Sequence, residues 1–313
     1  MICVLAGGVG AAKFLRGLVQ VVDPSEITVV ANTGDDTRLF GLHVAPDLDT
    51  LTYNLGGVSN AEFGWGLAGD TFHAIDALAR FGAPTWFRLG DRDLATNLYR
   101  SERLGDGATL SEVTKEIATA FGVALRLLPM TDDTVATRVE LEDGEVVEFQ
   151  EYFVHRRHEV AIRAVHFAGV DTAKPAPGVL EALHDAALVV VAPSNPIVSI
   201  GPILAVSGVA ETLAARRSSV VAISPIVAGA ALKGPAARML VELGHEPSAL
   251  GVARLLAPSI GAFVLDERDG DDLARVHELG IAACATETVM ADDAVAAALA
   301  RVVLHFATEA ASA

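Results

Sequence analysis

The chain is short of cysteine: Cys3 and Cys284 are the only two in 313 residues. Two thiols exclude a disulfide-built scaffold, and without Cys/His clustering they exclude a structural zinc site. Cys3 lies inside the first apolar run, so both read as small buried hydrophobes rather than nucleophiles. Positive charge is also scarce, with 23 Lys and Arg against 40 Asp and Glu and a formal net charge of -17. Such a surface repels nucleic acid and anionic membranes, so neither is expected as a partner. An anionic substrate then needs local help from backbone amides, a few arginines or a metal. Long uninterrupted hydrophobic runs are missing too. The most apolar stretch, 186–210, is broken by Pro193, Ser194, Asn195, Pro196, Gly201 and Pro202 and does not read as a membrane span. No basic segment precedes the strand that begins at residue 2, so no signal peptide is expected and a cytoplasmic location is. No Gly-x-Ser-x-Gly elbow occurs, which removes the Ser-His-Asp hydrolases.

What is present is a composition 51% apolar and only 20% charged, enough for a substantial core in one large α/β domain or two small ones. Short apolar strands alternate with helical periods, the pattern of a parallel sheet with helices on both faces. Strands are expected at 2–6, 27–31, 85–89, 187–192, 219–224 and 262–266. Helices are expected at 10–22, 69–82, 94–101, 109–122, 176–185, 202–217, 232–243, 247–257, 271–279 and 292–309. Continuous apolar runs such as "ALVVVA" suit strands buried on both faces. Residues 134–168 differ, with period-two alternation around Asp143-Gly144. They predict a small inserted β-hairpin subdomain, dividing the chain into a core of 1–133 and 169–313 and a β-rich insertion.

The opening "ICVLAGGVGAAKFLRGL" runs from strand through Gly7, Gly8 and Gly10 into a helix. Its amides can crowd a phosphate at the helix N-terminus, with Lys13 one turn in. Lys13 stands where a dinucleotide fingerprint needs its third glycine, so that motif is not matched, and neither is the P-loop. A phosphate cradle and a tight βα turn both remain open. The second strand ends in "ANTGDDTRLFGLHVAPDLDT", and parallel strand ends share one edge. Asn32, Thr33, Asp35, Asp36, Asp47 and Asp49 are therefore expected near the glycines. Carboxylates beside a phosphate call for a bridging cation, and magnesium held by one or two aspartates and substrate oxygens resolves the conflict. The same residues also serve as ordinary turns and caps.

Further on, "WFRLGDRDLATNLYRSERL" offers Arg88 and Arg92 to clamp a phosphate or a carbonyl-rich ring. Asp91 and Asp93 accompany them, and Asp93 fits a helix cap equally well. In "EYFVHRRHE", 151–159, His155, Arg156, Arg157 and His158 form the one basic island. As a strand, at most half of them face a substrate, and a solvated edge strand is an equal reading. "APSNPIVSIGP" puts Ser194 and Asn195 at a ligand edge, and "ISPIVAGAALKGPA" puts Ser224, Gly229 and Lys233 in a similar strand-loop-helix setting.

Taken together, eight ordered blocks resemble the 2-phospho-L-lactate transferase family of coenzyme F420 biosynthesis, whose actinobacterial members act as phosphoenolpyruvate transferases. They are "GGVGAAKFLRGL", "NTGDDTRLFGLHVAPDLDT", "FRLGDRDLAT", "PMTDD", "FQEYFVHRRHE", "PAPGVLEAL", "APSNPIVSIGPILAV" and "SPIVAGAALKGPAARML". The resemblance implies a Rossmann-like core with a small extra subdomain, in a homodimer. It implies an acceptor, 7,8-didemethyl-8-hydroxy-5-deazariboflavin (FO), and a guanylylated donor carrying lactate or enolpyruvate. The terminal ribityl hydroxyl of FO attacks the acyl-side phosphorus and GMP leaves. By this resemblance Asp49 and Arg88 are the matching FO contacts, with Asp91 beside them. Asp35, Asp36 and Asp49 are the candidates for magnesium. Asp36 or Asp49 is the candidate to orient or deprotonate the hydroxyl. Gly8, Gly10, Lys13, Ser194 and Asn195 are the candidates for the donor phosphates and nucleotide. One position departs from the family pattern, where a histidine follows Asp-Leu-Ala-Thr and Asn97 stands here. The alternative is a nucleotide-binding regulatory protein of the same fold without FO transfer. A nicotinamide dehydrogenase is disfavoured by Lys13 and by the missing acid at the end of the second strand.

Overall fold

The computed structural model describes residues 1–231 and 234–312. Lys233, one of the residues singled out above, lies outside the described residues, as does Leu232 at the start of the helix expected over 232–243. Among the described residues the core sheet has seven strands. Three lie at the start of the chain: β1 (Ile2–Ala6), β2 (Ile27–Ala31) and β3 (Arg126–Pro129). A separate antiparallel sheet follows, built from β4 (Ala136–Leu141), β5 (Val146–Glu148) and β6 (Ile162–Ala168). The core resumes with β7 (Leu188–Val191), β8 (Val220–Ile223), β9 (Ala262–Asp266) and β10 (Ala282–Thr286).

The core order is β10-β9-β8-β7-β1-β2-β3, and every pairing in it is parallel. The pleat sorts side chains between two apolar layers: Cys3 and Leu5 of β1 enter one, Val4 and Ala6 the other. Strands buried on both faces explain why β2 reads ITVVA without alternation. The chain winds outward from β1 through β2 to β3, then returns to the other side of β1 for β7. The direction of winding thus reverses between β1 and β7, and in a sheet of this kind the ligand crevice lies at the C-terminal ends of the strands beside that reversal.

Helix α1 (Gly8–Leu18) follows β1 and packs on α8 (Asp293–Ser312). Gly17 is required there, because a Cβ at that position would lie 2.2 Å from the backbone carbon of Ala296. Helix α8 has an apolar stretch, Asp293–Ala311, long enough to cross a membrane by length and composition alone. Its Ala296, Leu299, Ala300, Val303 and Ala307 are buried in the same layer as Phe14 and Leu15. Within the apolar stretch 186–210, the helical segment Pro196–Ala205 meets the helix Val209–Ala215 at a bend of 91°, and Ile200, Ile203, Val206 and Val209 are buried in the core.

Several expectations need correction. Residues 85–89 are not a strand. Leu89, Trp86 and Phe87 instead join Leu39, Val44 and Ile75 in a small apolar cluster, and the free edge of β2 is taken by β3. "EYFVHRRHE" is not a strand either. Glu151–His155 is a π-helical turn, with Arg156 ion-paired to Glu145 and Glu151. Its His155 stacks on Trp86, ring centroids 5.1 Å apart. The helix expected over 202–217 breaks into Gly201–Ala205 and Val209–Ala215. Helix α2 (Pro46–Leu55), absent from the sequence expectation, begins at the proline of "PDLDT", a residue pre-set for a first helical turn.

Three further helices follow α2 in the chain, α3 (His73–Leu78), α4 (Asp91–Gly105) and α5 (Leu110–Ala120). Helices α3 and α4 are capped by one another's acids. Asp91, first residue of α4, accepts from the amides of His73 and Ala74 and from the Thr71 hydroxyl. Asp70, just ahead of α3, accepts from the amides of Arg92 and Asp93. The exchange satisfies amides that a helix start leaves unpaired.

Candidate active site

The loops leaving β1, β2, β7, β8 and β10, with one face of α2 and the N-terminal turn of α4, enclose a cavity of about 660 Å³. That is the size of an ordinary small-molecule site, about 300–1,000 Å³. The glycine loop shapes it. A Cβ on Gly10 would lie 2.2 Å from the Pro193 carbonyl oxygen, and one on Gly7 would lie 2.7 Å from Asp47 Oδ2. These glycines therefore let the β1 and β7 loops abut and let Asp47 close against them. The Gly7 amide donates to Ser194 Oγ at 3.2 Å. Asn195 Oδ1 accepts from the amides of Ile197 (2.9 Å) and Val198 (3.3 Å). Gly8, Gly10, Lys13, Ser194 and Asn195 all line the cavity, and Lys13 Nζ donates to the Met290 carbonyl at 3.1 Å.

The acids expected near the glycines divide among different partners. Asp35, Asp47, Asp49 and Asp93 line the cavity. Asp36 does not; it borders a separate small void, with its Oδ2 2.7 Å from His43 Nε2. Asp91 does not line the cavity either, its carboxylate being occupied at the start of α3. Arg88 lines the rim, its guanidinium 4.4 Å from the Phe72 ring and 3.4 Å from Asp76. Asp49, in the first turn of α2, is buried and held by both terminal nitrogens of Arg100, itself buried on α4.

Arg100 was not foreseen. It anchors a network along one face of α4, where Asp93, Asn97 and Arg100 recur at helical spacing. Arg100 Nη1 donates to Asn97 Oδ1 at 2.7 Å, and Asn97 Nδ2 donates to the Asp93 carbonyl at 2.9 Å and to Asp93 Oδ1 at 3.3 Å. Tyr53, one helical turn after Asp49 on α2, donates its hydroxyl to the same Asp93 oxygen at 2.8 Å. The spacing of 49 with 53, and of 93 with 97 and 100, was the available signal.

Burial and like charge raise several of these carboxyls. Burial, then the neighbouring Asp49 charge, pushes Asp93 up to about 7 against the opposing Tyr53 hydrogen bond. Burial pushes Asp47 up to about 6, opposed by its hydrogen bonds from Asn32 and the Gly8 amide. Asp35 is raised well above the usual range by burial and by the adjacent Asp47. Among the described residues no three His, Cys, Asp or Glu side chains gather as a ready metal cage. Magnesium, however, commonly takes only one or two carboxylates and completes its shell with substrate oxygens and water. Asp35 fits that role, because its Oδ1 is buried without a hydrogen-bond partner and Asp47 stands beside it in the cavity wall. Asp36 Oδ1 is equally unpartnered but borders the smaller void, and Arg100 already occupies both oxygens of Asp49.

The family described as "2-phospho-L-lactate transferase CofD" matches residues 2–304. A phosphoenolpyruvate transferase of Streptomyces coelicolor is 46% identical over 313 residues, covering 98% of each chain. A phosphoenolpyruvate transferase of Thermobifida fusca is 43% identical, again over 98% of each chain. The 2-phospho-L-lactate transferase of Methanothermobacter thermautotrophicus is 40% identical over 97% of each. Among solved structures, a UPF0052-family protein of Bacillus halodurans superposes with a TM-score of 0.65 at 18% identity, covering 97% of this chain and 98% of its own. That last likeness speaks to the fold alone.

Proposed function

The chain belongs to the CofD family of phosphoenolpyruvate and 2-phospholactate transferases, and from that premise we propose that its acceptor is FO and its donor a guanosine-diphosphate-linked enolpyruvate or lactate. The observation that carries this reading is the cavity at the C-terminal ends of β1 and β7. It joins a glycine loop and Lys13, suited to a diphosphate, to a second wall bearing Asp93, Tyr53 and Arg88, suited to a hydroxylated acceptor. The enolpyruvyl form of the donor is favoured, since the relatives at 43–46% identity carry that name.

In the reaction the ribityl oxygen of FO bonds to the acyl-side phosphorus, and the bond from that phosphorus to the bridging oxygen breaks. GMP departs with the electron pair, and the hydroxyl proton passes to a base. Asp93 is the better base of the carboxylates considered. It lines the cavity, stands near neutrality and carries two donors on Oδ1, which orient it. Asp49 is weaker in that role because Arg100 engages both of its oxygens. It serves instead as a fixed acceptor toward FO, with Arg88. Lys13 and the amides at the start of α1 hold the donor phosphates in line. Magnesium, held by Asp35 with Asp47, would neutralise the diphosphate charge. The chain acts as a homodimer in this reading, checked by its sedimentation.

The test is a fluorescence titration of FO, with and without magnesium, followed by each guanylylated donor and mass analysis of products. Saturable FO binding and a product heavier by the phospho-acyl group are expected, with turnover lost in EDTA and restored by magnesium. No FO binding at tens of micromolar would replace this reading with the regulatory nucleotide-binding one. Turnover that persists in chelator would remove the metal.

A further inference from the structure

The loop between α2 and α3 carries two aromatic residues that the proposed chemistry does not use. Phe63 and Trp65 stack with ring centroids 5.4 Å apart and planes 22° from parallel. They are 45% and 42% exposed, and both line the cavity. The chain has only 5% aromatic residues and two tryptophans, and of the exposed rings among the described residues, Phe40, Phe63, Trp65, Phe81 and Tyr99, only Phe63 and Trp65 line the cavity. Leaving two large rings half in water forgoes the burial that normally recovers them.

The loop holds them in place. Asn60 Oδ1 accepts from the amides of Glu62 (3.0 Å) and Phe63 (3.2 Å). The Gly64 amide bonds the Asn60 carbonyl, the Asn60 amide bonds the Gly66 carbonyl, and the Ala68 amide bonds the Val58 carbonyl. Gly64 and Gly66 flank Trp65 at φ +79° and +68°, which only glycine adopts readily. The loop begins at the end of α2, and the Arg92 guanidinium of α4 binds the Ala68 carbonyl. It is thus tied to the two helices that carry Asp49 and Asp93.

We propose that the Phe63–Trp65 pair is the stacking platform for the flat tricyclic ring of the acceptor, and that it sets the preference for a planar heteroaromatic acceptor over an open-chain alcohol. The proposal rests on the transferase reading. A π-face selects for flatness and area, and Asp93 on the neighbouring helix then meets the hydroxyl of the side chain. The donor's guanine is also flat, but its phosphates are held at the β1 and β7 loops.

The experiment compares Trp65→Ala, Phe63→Ala and Trp65→Phe with the wild-type protein, reading FO affinity by fluorescence, KM for FO, KM for the guanylylated donor, and kcat. Trp65→Ala should raise the FO dissociation constant and KM about tenfold, the usual loss of an aromatic stacking partner. Donor KM and kcat should stay within about twofold of wild type on the same reasoning, and Trp65→Phe should restore most of the affinity. Should an alanine variant not fold, Trp65→Leu and Phe63→Leu keep the apolar bulk without the π-face. Unchanged FO affinity in these variants would overturn the platform, and a rise confined to donor KM would assign it to guanine instead. Failure of the wild-type protein to bind FO would overturn the transferase reading itself, a different outcome from wild-type binding that ignores Trp65.

Discussion

The carboxylates of the cavity are chemically distinct because their neighbours differ. Asp93 stands at about 7 through burial and the charge of Asp49, so its ionised, proton-accepting form grows as pH rises through neutrality. The acid limb of kcat/KM should therefore fall near 7 and disappear in Asp93→Asn, whose residual rate should be lower by about a hundredfold or more. A limb of unchanged position in that variant would remove Asp93 as base. Stability runs the other way. A carboxyl raised above its unfolded value stabilises the fold below about pH 4, and that contribution is lost as pH climbs through about 7. The Asp49–Arg100 pair poses a different problem, since a buried ion left without its partner costs about 3–5 kcal/mol. Urea unfolding of Arg100→Met should show a loss of that order, and Asp49→Leu added to it should recover most of the stability but not FO binding. Full recovery of binding in the double variant would make the pair structural only. Neither Asp93 nor Arg100 was legible as a single letter. Asp93 looked like a cap, and Arg100 fell in an unremarkable polar helix, because what gives them meaning is a contact between α2 and α4.

At the level of elements, the strands inside the sheet were legible because burial on both faces leaves unbroken apolar runs, as in ITVVA and LVVV. The edges were not. Strand β3 is only RLLP and β10 is AACAT, both too short or too small-residued to stand out, whereas TWFRL had the right letters but packs into the small cluster of Leu39, Val44 and Ile75. Helix α2 was missed for the opposite reason. Its polar residues, Asp47, Asp49, Thr50, Thr52 and Asn54, are buried, so it lacks the amphipathic stripe that announces a surface helix. The acids of "GDRD" resolve at this scale as well, because Asp91 belongs to the mutual capping of α3 and α4. Its carboxyl is held well below the usual range by the Thr71 hydroxyl and the amide of Ala74. Asp91→Ala should lower the thermal midpoint at neutral pH, with the difference from wild type vanishing as pH falls below the ordinary carboxylate range. The KM for FO should be unaffected, and a large change in it would return Asp91 to the site. The contact of α1 with α8 is tighter still. Gly17→Ala should cost about 1–3 kcal/mol in chemical unfolding, the usual penalty for forcing a methyl into a packed interface. A neutral result would mean the two helices separate more readily than a 2.2 Å approach to the Ala296 backbone suggests.

Across the whole molecule, a net charge of -17 surrounds a cavity whose described lining offers Lys13 and Arg88 against Asp35, Asp47, Asp49 and Asp93. Arg100 offsets Asp49, and partial protonation offsets some of the rest, yet a diphosphate entering near Asp35 and Asp47 meets net repulsion. A divalent cation held between them would change the sign of the local field and join the two binding events thermodynamically. Whatever factor magnesium adds to GMP affinity, GMP must add to magnesium affinity, since the coupling free energy is shared by both routes round the cycle. Calorimetric titration of GMP should accordingly show affinity about 5–150-fold weaker in EDTA than in magnesium, and magnesium titrated with and without GMP should shift by the same factor. Asp35→Asn should shrink that factor toward one while leaving FO binding to the aromatic wall in place. Equal GMP affinity in chelator and in magnesium would mean that Lys13 and the amides of α1 suffice for the donor. Asp35 would then be a buried acid kept neutral by its surroundings.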